Sequence, residues 1–326
     1  MTFRVLVAAI AIAAMSQPLR RFEYSQPHMG TMMRIVLYAA SERDAKPAAD
    51  AAFARIAALD ETLSDYRDSS ELMRVSQAAG GPPVRVSADL FRVLRAAQTL
   101  ARSTGGAFDV TAGPLTILWR AARRQRALPD ADELQHARSL VGDAKLELDD
   151  ARQTVRLRDS GMQLDVGGIA KGFAADEAAA VLVKRRITRV LVAAGGDIVA
   201  GDPPPGSDGW QVAILGLGPS AIGRVTLRKQ AVSTSGDAEQ HFEANGVRYS
   251  HILDPRTGQA LVGRSSVTVV ARNGISSDSL ATALSVMEPA AGIRFVSRID
   301  GASARISKID TDGRVKTQTS SRWRER

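Results

Sequence analysis

The sequence lacks cysteine entirely, and this absence removes three kinds of chemistry. Disulfide frameworks, thiolate metal sites and thiol nucleophiles all depend on that residue. Any metal ion bound by the chain must therefore be held by oxygen or imidazole ligands. The length of 326 residues and the hydrophobic content of 44% fit almost any globular protein, so one large domain and two subdomains are equally allowed.

A long hydrophobic run is also lacking. The apolar segment Val5–Met15 is too short to cross a bilayer as a helix. One arginine precedes it and small residues stand near its end, a pattern typical of a secretory signal peptide. We expect residues 1–25 to be a signal peptide and leader, and the mature protein to be soluble and periplasmic, with no cysteine for a lipid anchor. A buried N-terminal strand or helix of a cytoplasmic protein is the alternative.

Aromatic residues are scarce at 5% of the chain, whereas basic residues are in excess and give a formal net charge of +8. About half of this excess lies in residues 305–326, which we expect to form a basic and largely solvated tail. The arginines at positions 120, 123, 124 and 126 have no aromatic residues between them, and this does not favour nucleic-acid binding. The positive charge is better explained by attraction of an anionic dinucleotide.

A glycine fingerprint of the Rossmann type is missing as well. Apolar periodicity predicts helices through Phe53–Leu63, from a Ser87 N-cap to Gly105, after Asp165, and over Asp278–Met287. Strand patterns occur at Met32–Ala39, Thr188–Ala193, Trp210–Leu215, Arg224–Leu227, Val247–Leu253 and Ser266–Ala271. Because helices and strands alternate irregularly, an α+β fold is favoured over a doubly wound parallel sheet.

Polar and titratable residues are concentrated between Val232 and Gly258. Ser233–Gly236 offer small hydroxyls and backbone amides suited to phosphate oxygens, because glycine lets the backbone approach an anion closely. His251 precedes the turn sequence Asp254–Gly258, where an imidazole can exchange a proton near neutral pH. Taken separately, the first segment also fits an ordinary turn, and the second fits a hairpin connection.

Together, the segments S-T-S-G at Ser233–Gly236 and S-H-I-L-D-P-R-T-G at Ser250–Gly258 resemble the signature of the ApbE family of FAD:protein FMN transferases. Other segments resemble family motifs in the same order along the chain. They are M-G-T (Met29–Thr31), L-S-D-Y-R-D-S-S-E-L (Leu63–Leu72), T-G-G-A-F-D-V-T-A-G-P-L (Thr104–Leu115), L-D-V-G-G-I-A-K-G-F-A-A-D (Leu164–Asp176), G-G-D-I (Gly195–Ile198) and D-S-L-A-T-A-L (Asp278–Leu284).

The resemblance implies a mixed α+β fold of two subdomains over residues 26–304, with a T-fold-like core and the active site in the cleft between the subdomains. It also implies an enzyme that uses Mg²⁺ to transfer the FMN part of FAD to a threonine hydroxyl of an acceptor flavoprotein, with release of AMP. The acceptor threonine is expected in a short Asp/Ser-Gly/Ala-x-Thr context. A metal-dependent FAD pyrophosphatase and a non-catalytic FAD-binding protein remain alternatives.

Three residues, Gly168, Asp278 and Thr282, correspond to family positions that hold the divalent cation. Asp278 and Thr282 are four residues apart on a predicted helix and so face the same side, and their oxygens suit a hard ion such as Mg²⁺. Gly168 can contribute only its backbone carbonyl. In the absence of a metal role, Asp278 would cap a helix, Thr282 would bond to its own helix, and Gly168 would allow a tight helix entry.

The resemblance also implies a set of FAD contacts. Tyr66 and Phe108 could flank planar rings, and Asp109 could accept hydrogen bonds from a ring edge or a ribose. Phe108 fits a hydrophobic core equally well, and a helix cap and a solvated surface lysine are the alternatives for Asp165 and Lys171. The expected FAD-binding residues are Met29, Tyr66, Ala107, Phe108, Asp109, Asp165, Lys171, Ser235, Gly236 and Ile252.

His251 is the expected general base that takes the proton of the acceptor hydroxyl. A histidine that only orders the turn at Asp254 is the alternative. Asp237 is a second candidate base, and His241 matches no family motif.

Overall fold

The computed structural model describes residues 18–218, 220–236, 240–309 and 313–325. The apolar core of the expected signal peptide and the candidate base Asp237 lie outside these residues. Among the helices of the described part, none combines the length and the apolar character that crossing a membrane requires.

The secondary structure mixes short strands with helices of two to six turns. The strands are β1 (Arg20–His28), β2 (Thr31–Ala39), β3 (Val84–Arg85), β4 (Leu146–Asp149), β5 (Thr154–Leu157), β6 (Val190–Ala194), β7 (Asp197–Ala200), β8 (Trp210–Leu215), β9 (Ala221–Leu227), β10 (Gln230–Gly236), β11 (His241–Ala244), β12 (Val247–Leu253), β13 (Ala260–Val262), β14 (Ser265–Ala271), β15 (Ser303–Ile309) and β16 (Val315–Thr319). The helices are α1 (Glu42–Leu63), α2 (Glu71–Gln77), α3 (Ala88–Ser103), α4 (Gly113–Gln125), α5 (Ala131–Ser139), α6 (Ala170–Lys184), α7 (Gly274–Val286) and α8 (Pro289–Ser297).

The largest sheet has eight strands in the order β1-β2-β6-β7-β10-β14-β15-β16, and each neighbouring pair is antiparallel. Successive residues of a strand face opposite sides of the sheet. Ile35 and Leu37 of β2 therefore pack against α1 and α6, while Val36 packs on the other face against the β8–β9 hairpin. Helix α7 continues the helical layer over β10 and β14.

A second core lies around α2, α3 and the small sheet β3–β5–β4. Leu72, Leu94, Val155 and Phe173 belong to it, and the last of these comes from α6, which therefore contributes to both cores. Helix α3 begins at the predicted cap, because the Ser87 hydroxyl accepts a hydrogen bond from Leu90 N. The prediction of a mixed α+β fold with two subdomains is confirmed.

A separate three-stranded sheet, β11–β12–β13, packs against helix α4. Trp119 packs against Phe242 and Tyr249, with ring centroids 6.1 and 5.7 Å apart. Its indole N–H donates to Gly258 O at 2.8 Å, which ties α4 to the turn that follows β12. These contacts hold the strand that bears His251 against α4.

Ser233–Gly236, which were expected either to contact phosphate oxygens or to form an ordinary turn, form the end of β10 within the main sheet. Thr234 N donates to Gly196 O at 3.2 Å, so this amide already has a backbone partner. The buried hydroxyl of Ser233 bonds to Ser277 Oγ at 2.8 Å. The interpretation of this segment as an ordinary turn is therefore wrong. A contact of Ser235 and Gly236 with FAD, from the end of the strand, stays a prediction.

The two expected boundaries of the domain fall within strands. β1 begins at Arg20, inside the expected leader, and β15 and β16 extend the main sheet beyond residue 304. Ala304 and Ile306 are buried, and Trp323 joins the core beneath the β8–β9 hairpin. The apolar–polar alternation of Ser303–Ile309 is a strand signal that the charge count of the tail obscures.

Candidate active site

Helices α6 and α7 approach so closely that their crossing requires glycine. A Cβ atom at Gly172 would lie 2.1 Å from Gly274 O, and one at Gly274 would lie 2.3 Å from Gly172 O. The close approach brings Asp278 of α7 to the first turn of α6, where Gly172 N donates to Asp278 Oδ2 at 2.9 Å. The carboxylate is thus fixed at a helix N-terminus, where the helix dipole favours negative charge.

A cluster of charges surrounds this carboxylate. Lys171 forms an ion pair with Asp197 of β7, and Lys171 Nζ lies 4.0 Å from Asp278 Oδ1. Burial and the nearby Asp197 raise the pKa of Asp278, and Lys171 offsets part of the rise. Burial acts to lower the pKa of Lys171, but the two carboxylates outweigh it, so that this pKa is raised. Lys171 is therefore a cation held between two buried acidic side chains.

The three expected metal ligands lie close together at the same crossing. A Cβ atom at Gly168 would stand 2.8 Å from Thr282 Oγ1, so the backbone before α6 touches the α7 side chain one turn beyond Asp278. Among the described residues, no group of three His, Asp or Glu side chains is arranged to hold a metal ion. A cation here would depend on a carbonyl, a hydroxyl and one carboxylate. These are oxygen donors of the kind that Mg²⁺ prefers, so the donor set fits that ion.

The start of α7 is anchored by a side chain from α6. Asp176 accepts from Gly274 N at 2.7 Å and from Ile275 N at 2.9 Å, and so satisfies two amides that the helix itself leaves without partners. Burial raises the pKa of Asp176 to about 6, although these two amides act in the opposite direction. Because Asp176 lies one helical turn beyond Gly172, the same face of α6 fixes both the start of α7 and Asp278.

His251 lies on the exposed side of β12, while its neighbours Ser250 and Ile252 are buried. Its Nδ1 lies 3.0 Å from Gln240 O. Because a carbonyl oxygen can only accept, Nδ1 is the donor in this bond, and in the neutral form of the ring Nε2 is then the nitrogen with the lone pair that a general base needs. The carboxylate of Asp254 bonds instead to the backbone N and the guanidinium of Arg256 at 2.8–2.9 Å, so Arg256 orders that turn.

Three of the predicted FAD residues lie in two separate places. Ala107 and Ile252 pack together with Val286 at the end of α7. Asp109 lines a pocket of about 380 Å³ with Gly105, Gly106, Arg138, Val141, Gly142, Asp143, Pro255 and Arg256. Burial raises the pKa of Asp109, although hydrogen bonds from Thr111 lower it. Asp109 therefore faces an open pocket beside the loop that follows α3.

Tyr66 and Asp165 are joined by Arg120 of α4. The Arg120 guanidinium lies 4.4 Å from the centroid of the Tyr66 ring, 2.7 Å from Asp65 Oδ2 and 3.8 Å from Asp165 Oδ2. The side chain of Tyr66 is 75% exposed, so this stack leaves much of the ring accessible. An exposed aromatic ring braced by a cation is suited to stacking on a planar ligand.

Met29 and Phe108 contribute differently from the other predicted residues. Met29 adopts a left-handed conformation with φ of 50°, and its amide donates to Asp60 Oδ2 at 3.2 Å. The ring of Phe108 is 5% exposed and belongs to the second core. Of the two interpretations of Phe108, the structure favours core packing for the ring, which leaves the backbone for contact with a ligand.

Comparison with known proteins agrees with this arrangement. A sequence model of the ApbE family matches residues 29–306. The chain belongs to this family. It is 32% identical over 270 residues to an FAD:protein FMN transferase of Klebsiella pneumoniae, covering 81% of this chain and 82% of the relative. It is 35% identical over 287 residues to the Treponema pallidum protein of that name, covering 81% of this chain and 79% of the relative.

Solved structures of ApbE proteins share the fold. The flavin transferase ApbE from Vibrio cholerae superposes with a TM-score of 0.84 at 30% identity, covering 93% of this chain and 98% of that chain. The apo form of the Pseudomonas stutzeri flavinyl transferase ApbE gives a TM-score of 0.81 at 29% identity, covering 93% and 95%. The α+β architecture described here is thus an ApbE fold.

Several residues of this ApbE site had no assigned role in the sequence. Asp197 lies within the G-G-D-I motif, but its pairing with Lys171 depends on contacts between β7 and α6. Asp176 and Arg120 act on residues far away in the chain. A weak signal for Asp176 was available, because it follows Gly172 by four residues on one helix.

Proposed function

We propose that this protein transfers the FMN moiety of FAD to a threonine hydroxyl of an acceptor flavoprotein, releases AMP and uses Mg²⁺. The observation that carries the proposal is the convergence of Gly168, Asp278 and Thr282 beside Lys171 in a member of the ApbE family. The relatives bear the name FAD:protein FMN transferase, and the oxygen donors of the crossing suit the proposed cation.

Gly168, Asp278 and Thr282 would hold Mg²⁺. When bound, the ion would neutralise phosphate charge and so make the pyrophosphate easier to cleave. Lys171 adds a fixed positive charge at the same crossing, where it can stabilise the negative charge of FAD phosphates. Glycines at the crossing keep these groups in place, which reduces the reorganisation needed during the reaction.

The remaining FAD contacts hold the two ends of the dinucleotide. Tyr66, braced by Arg120, offers a stacking surface, and Ala107 and Ile252 offer an apolar contact. The buried Asp109 carboxyl lines a pocket in which it can bond to a polar ring edge or a ribose hydroxyl. These contacts orient the FMN phosphorus toward the acceptor, and such positioning is the main requirement of phosphoryl transfer.

In the transfer step, the threonine oxygen forms a bond to the FMN phosphorus while the bond from that phosphorus to the bridging oxygen breaks. The bridging oxygen leaves as part of AMP. Nε2 of His251 accepts the hydroxyl proton, because Nδ1 already donates to Gln240 O. The exposed position of His251 allows a protein substrate to reach it.

We further propose that the acceptor threonine lies in an Asp/Ser-Gly/Ala-x-Thr context and that the reaction takes place in the periplasm. The basis for the location is the short apolar segment Val5–Met15, which has the features of a secretory signal.

The decisive experiment is mass spectrometry of candidate acceptor flavoproteins after incubation with the protein, FAD and Mg²⁺. AMP and free FMN are followed in parallel, with Asp278→Asn and a chelator as controls. Covalent FMN on a threonine with one AMP per label is the expected result. Free FMN and AMP without labelled protein would indicate an FAD pyrophosphatase, and unchanged FAD would indicate a binding protein.

A further inference from the structure

Helix α4 ends in a group of arginines that the proposed reaction leaves without a role. No acidic residue occurs between Asp109 and Asp130, whereas Arg123 and Arg124 lie in the last turn of α4 and Arg126 is its C-cap. Arg124 and Arg126 are exposed, and neither forms an ion pair with any residue in the described part of the chain. Arg124 and Arg126 could therefore pair with a bound partner without breaking an internal ion pair.

Arg123 connects this surface to the candidate general base. Its Nη1 donates to Gln240 Oε1 at 3.2 Å, and Gln240 O accepts from Nδ1 of His251 at 3.0 Å. Arg120, one turn earlier on the same helix, stacks on Tyr66. Residues three and four apart are neighbours on a helix, so the arginines extend from the predicted flavin contacts to His251.

A further arginine of this surface belongs to α5. Arg138 is exposed, and its Nε donates to Arg256 O at 2.7 Å in the turn after β12. Acidic residues also lie in this region. They are Asp109 and Asp143, which line one pocket with Arg138, then Asp130, Asp132 and Glu133 at the start of α5, and Asp254, which pairs with Arg256. We name Arg123, Arg124, Arg126 and Arg138 the arginine ridge.

We infer that the arginine ridge is the docking surface for an acidic segment of the acceptor protein, next to the threonine that is modified. The inference depends on the proposed function. A threonine that reaches His251 brings its flanking residues over the exposed end of α4, where carboxylates meet arginines that have few internal partners. Such attraction raises the association rate and selects partners by charge.

Two labelled synthetic peptides provide the test. Both contain Ser-Gly-Ala-Thr, one flanked by glutamates and the other by glutamines, and their binding to the FAD-loaded protein is measured by fluorescence anisotropy. The glutamate peptide is expected to bind about tenfold more tightly, and Arg124→Glu is expected to remove this difference, which corresponds to about 1.4 kcal/mol. The preference should also vanish near 1 M salt, where the screening length falls to about 3 Å.

Lys184→Glu is the matched control, because Lys184 is also an exposed cation in the last turn of a helix. It lies about 20 Å along α6 from Lys171, at a rise of about 1.5 Å per residue. Equal binding of the two peptides, or equal loss in Arg124→Glu and Lys184→Glu, would overturn the inference. A tenfold loss of FAD affinity in Arg124→Glu would instead make the ridge part of the FAD site. Because the binding assay leaves out Mg²⁺, it measures binding without transfer, so failure of FMN transfer when Mg²⁺ is present would count against the proposed function alone.

Discussion

The crossing of α6 and α7 and the exposed end of β12 contribute opposite kinds of residue to one site. At the crossing, Asp197 and Asp278 are 3% and 4% exposed, and glycines keep two helices in backbone contact. At the end of β12, His251 and the neighbouring arginines face solvent. The difference matches two substrates: a dinucleotide phosphate needs a fixed cradle, whereas a protein acceptor needs an accessible surface.

Loss of a charge at the crossing should lower the rate of FMN transfer more than a substitution in any other part of the site. Asp278→Asn is expected to lower the rate of FMN transfer by about a thousandfold, because the substitution removes the charge of the proposed metal ligand while keeping the shape of the side chain. Initial rates over a series of Mg²⁺ concentrations measure the effect. Full activity of Asp278→Asn would contradict the metal assignment.

The packing of glycines at the crossing can be tested separately from the charges there. Gly172→Ala is expected to lower the free energy of unfolding by about 3 kcal/mol, because its Cβ would overlap Gly274 O. Urea denaturation measures the loss. Gly218→Ala is the matched control, since a Cβ at that position would have no atom within 4 Å among the described residues, apart from its chain neighbours. Equal stability of the two variants would show that the helices can separate without cost.

The Arg120 brace should have a smaller effect that is confined to FAD binding. Arg120→Lys keeps the charge but loses the planar group that stacks on Tyr66 and bonds to Asp65. We expect the Kd for FAD to rise about tenfold, or about 1.4 kcal/mol, as measured by calorimetry. Arg95→Lys, at an exposed ion pair on α3, serves as the control. An unchanged Kd would remove Tyr66 and Arg120 from the FAD site.

The buried carboxylate also predicts a pH dependence of stability in the absence of metal. A free aspartate titrates near pH 3.9, whereas the pKa of Asp278 is raised to about 7 by burial and Asp197. Between these values the folded chain holds a proton that the unfolded chain has lost, so this residue makes stability fall as the pH rises. The free energy of unfolding of Asp278→Asn, relative to that of wild type, should therefore be about 2 to 3 kcal/mol higher at pH 8 than at pH 5. If the free energies of unfolding of variant and wild type differed by the same amount at both pH values, the raised pKa of Asp278 would be contradicted.

Local signals made part of the fold predictable. Ser87 marked the start of α3, and the strand pattern of Val247–Leu253 gave the bounds of β12. The segment Ser233–Gly236 was misleading, because a cluster of small polar residues also forms a strand when the neighbouring strands and Ser277 satisfy its polar groups.

The candidate site likewise has a part that local sequence patterns predict and a part that they do not. The spacing of Asp278 and Thr282 is enough to place them one turn apart on the same face of a helix. The contact of Gly172 with Gly274 and the stack of Arg120 on Tyr66 join segments far apart in the chain, so no local pattern predicts them. The pairing of Asp197 with Lys171 likewise depends on how β7 meets α6.

The most direct test of the division between the two regions is to measure FAD affinity and FMN transfer together in His251→Ala. With Mg²⁺ present, calorimetry should give a Kd for FAD within about twofold of wild type, while single-turnover transfer to the acceptor slows by about a hundredfold. This result would separate the exposed base from the buried phosphate site. Loss of FAD binding in His251→Ala would contradict the account, because His251 would then be part of the FAD site.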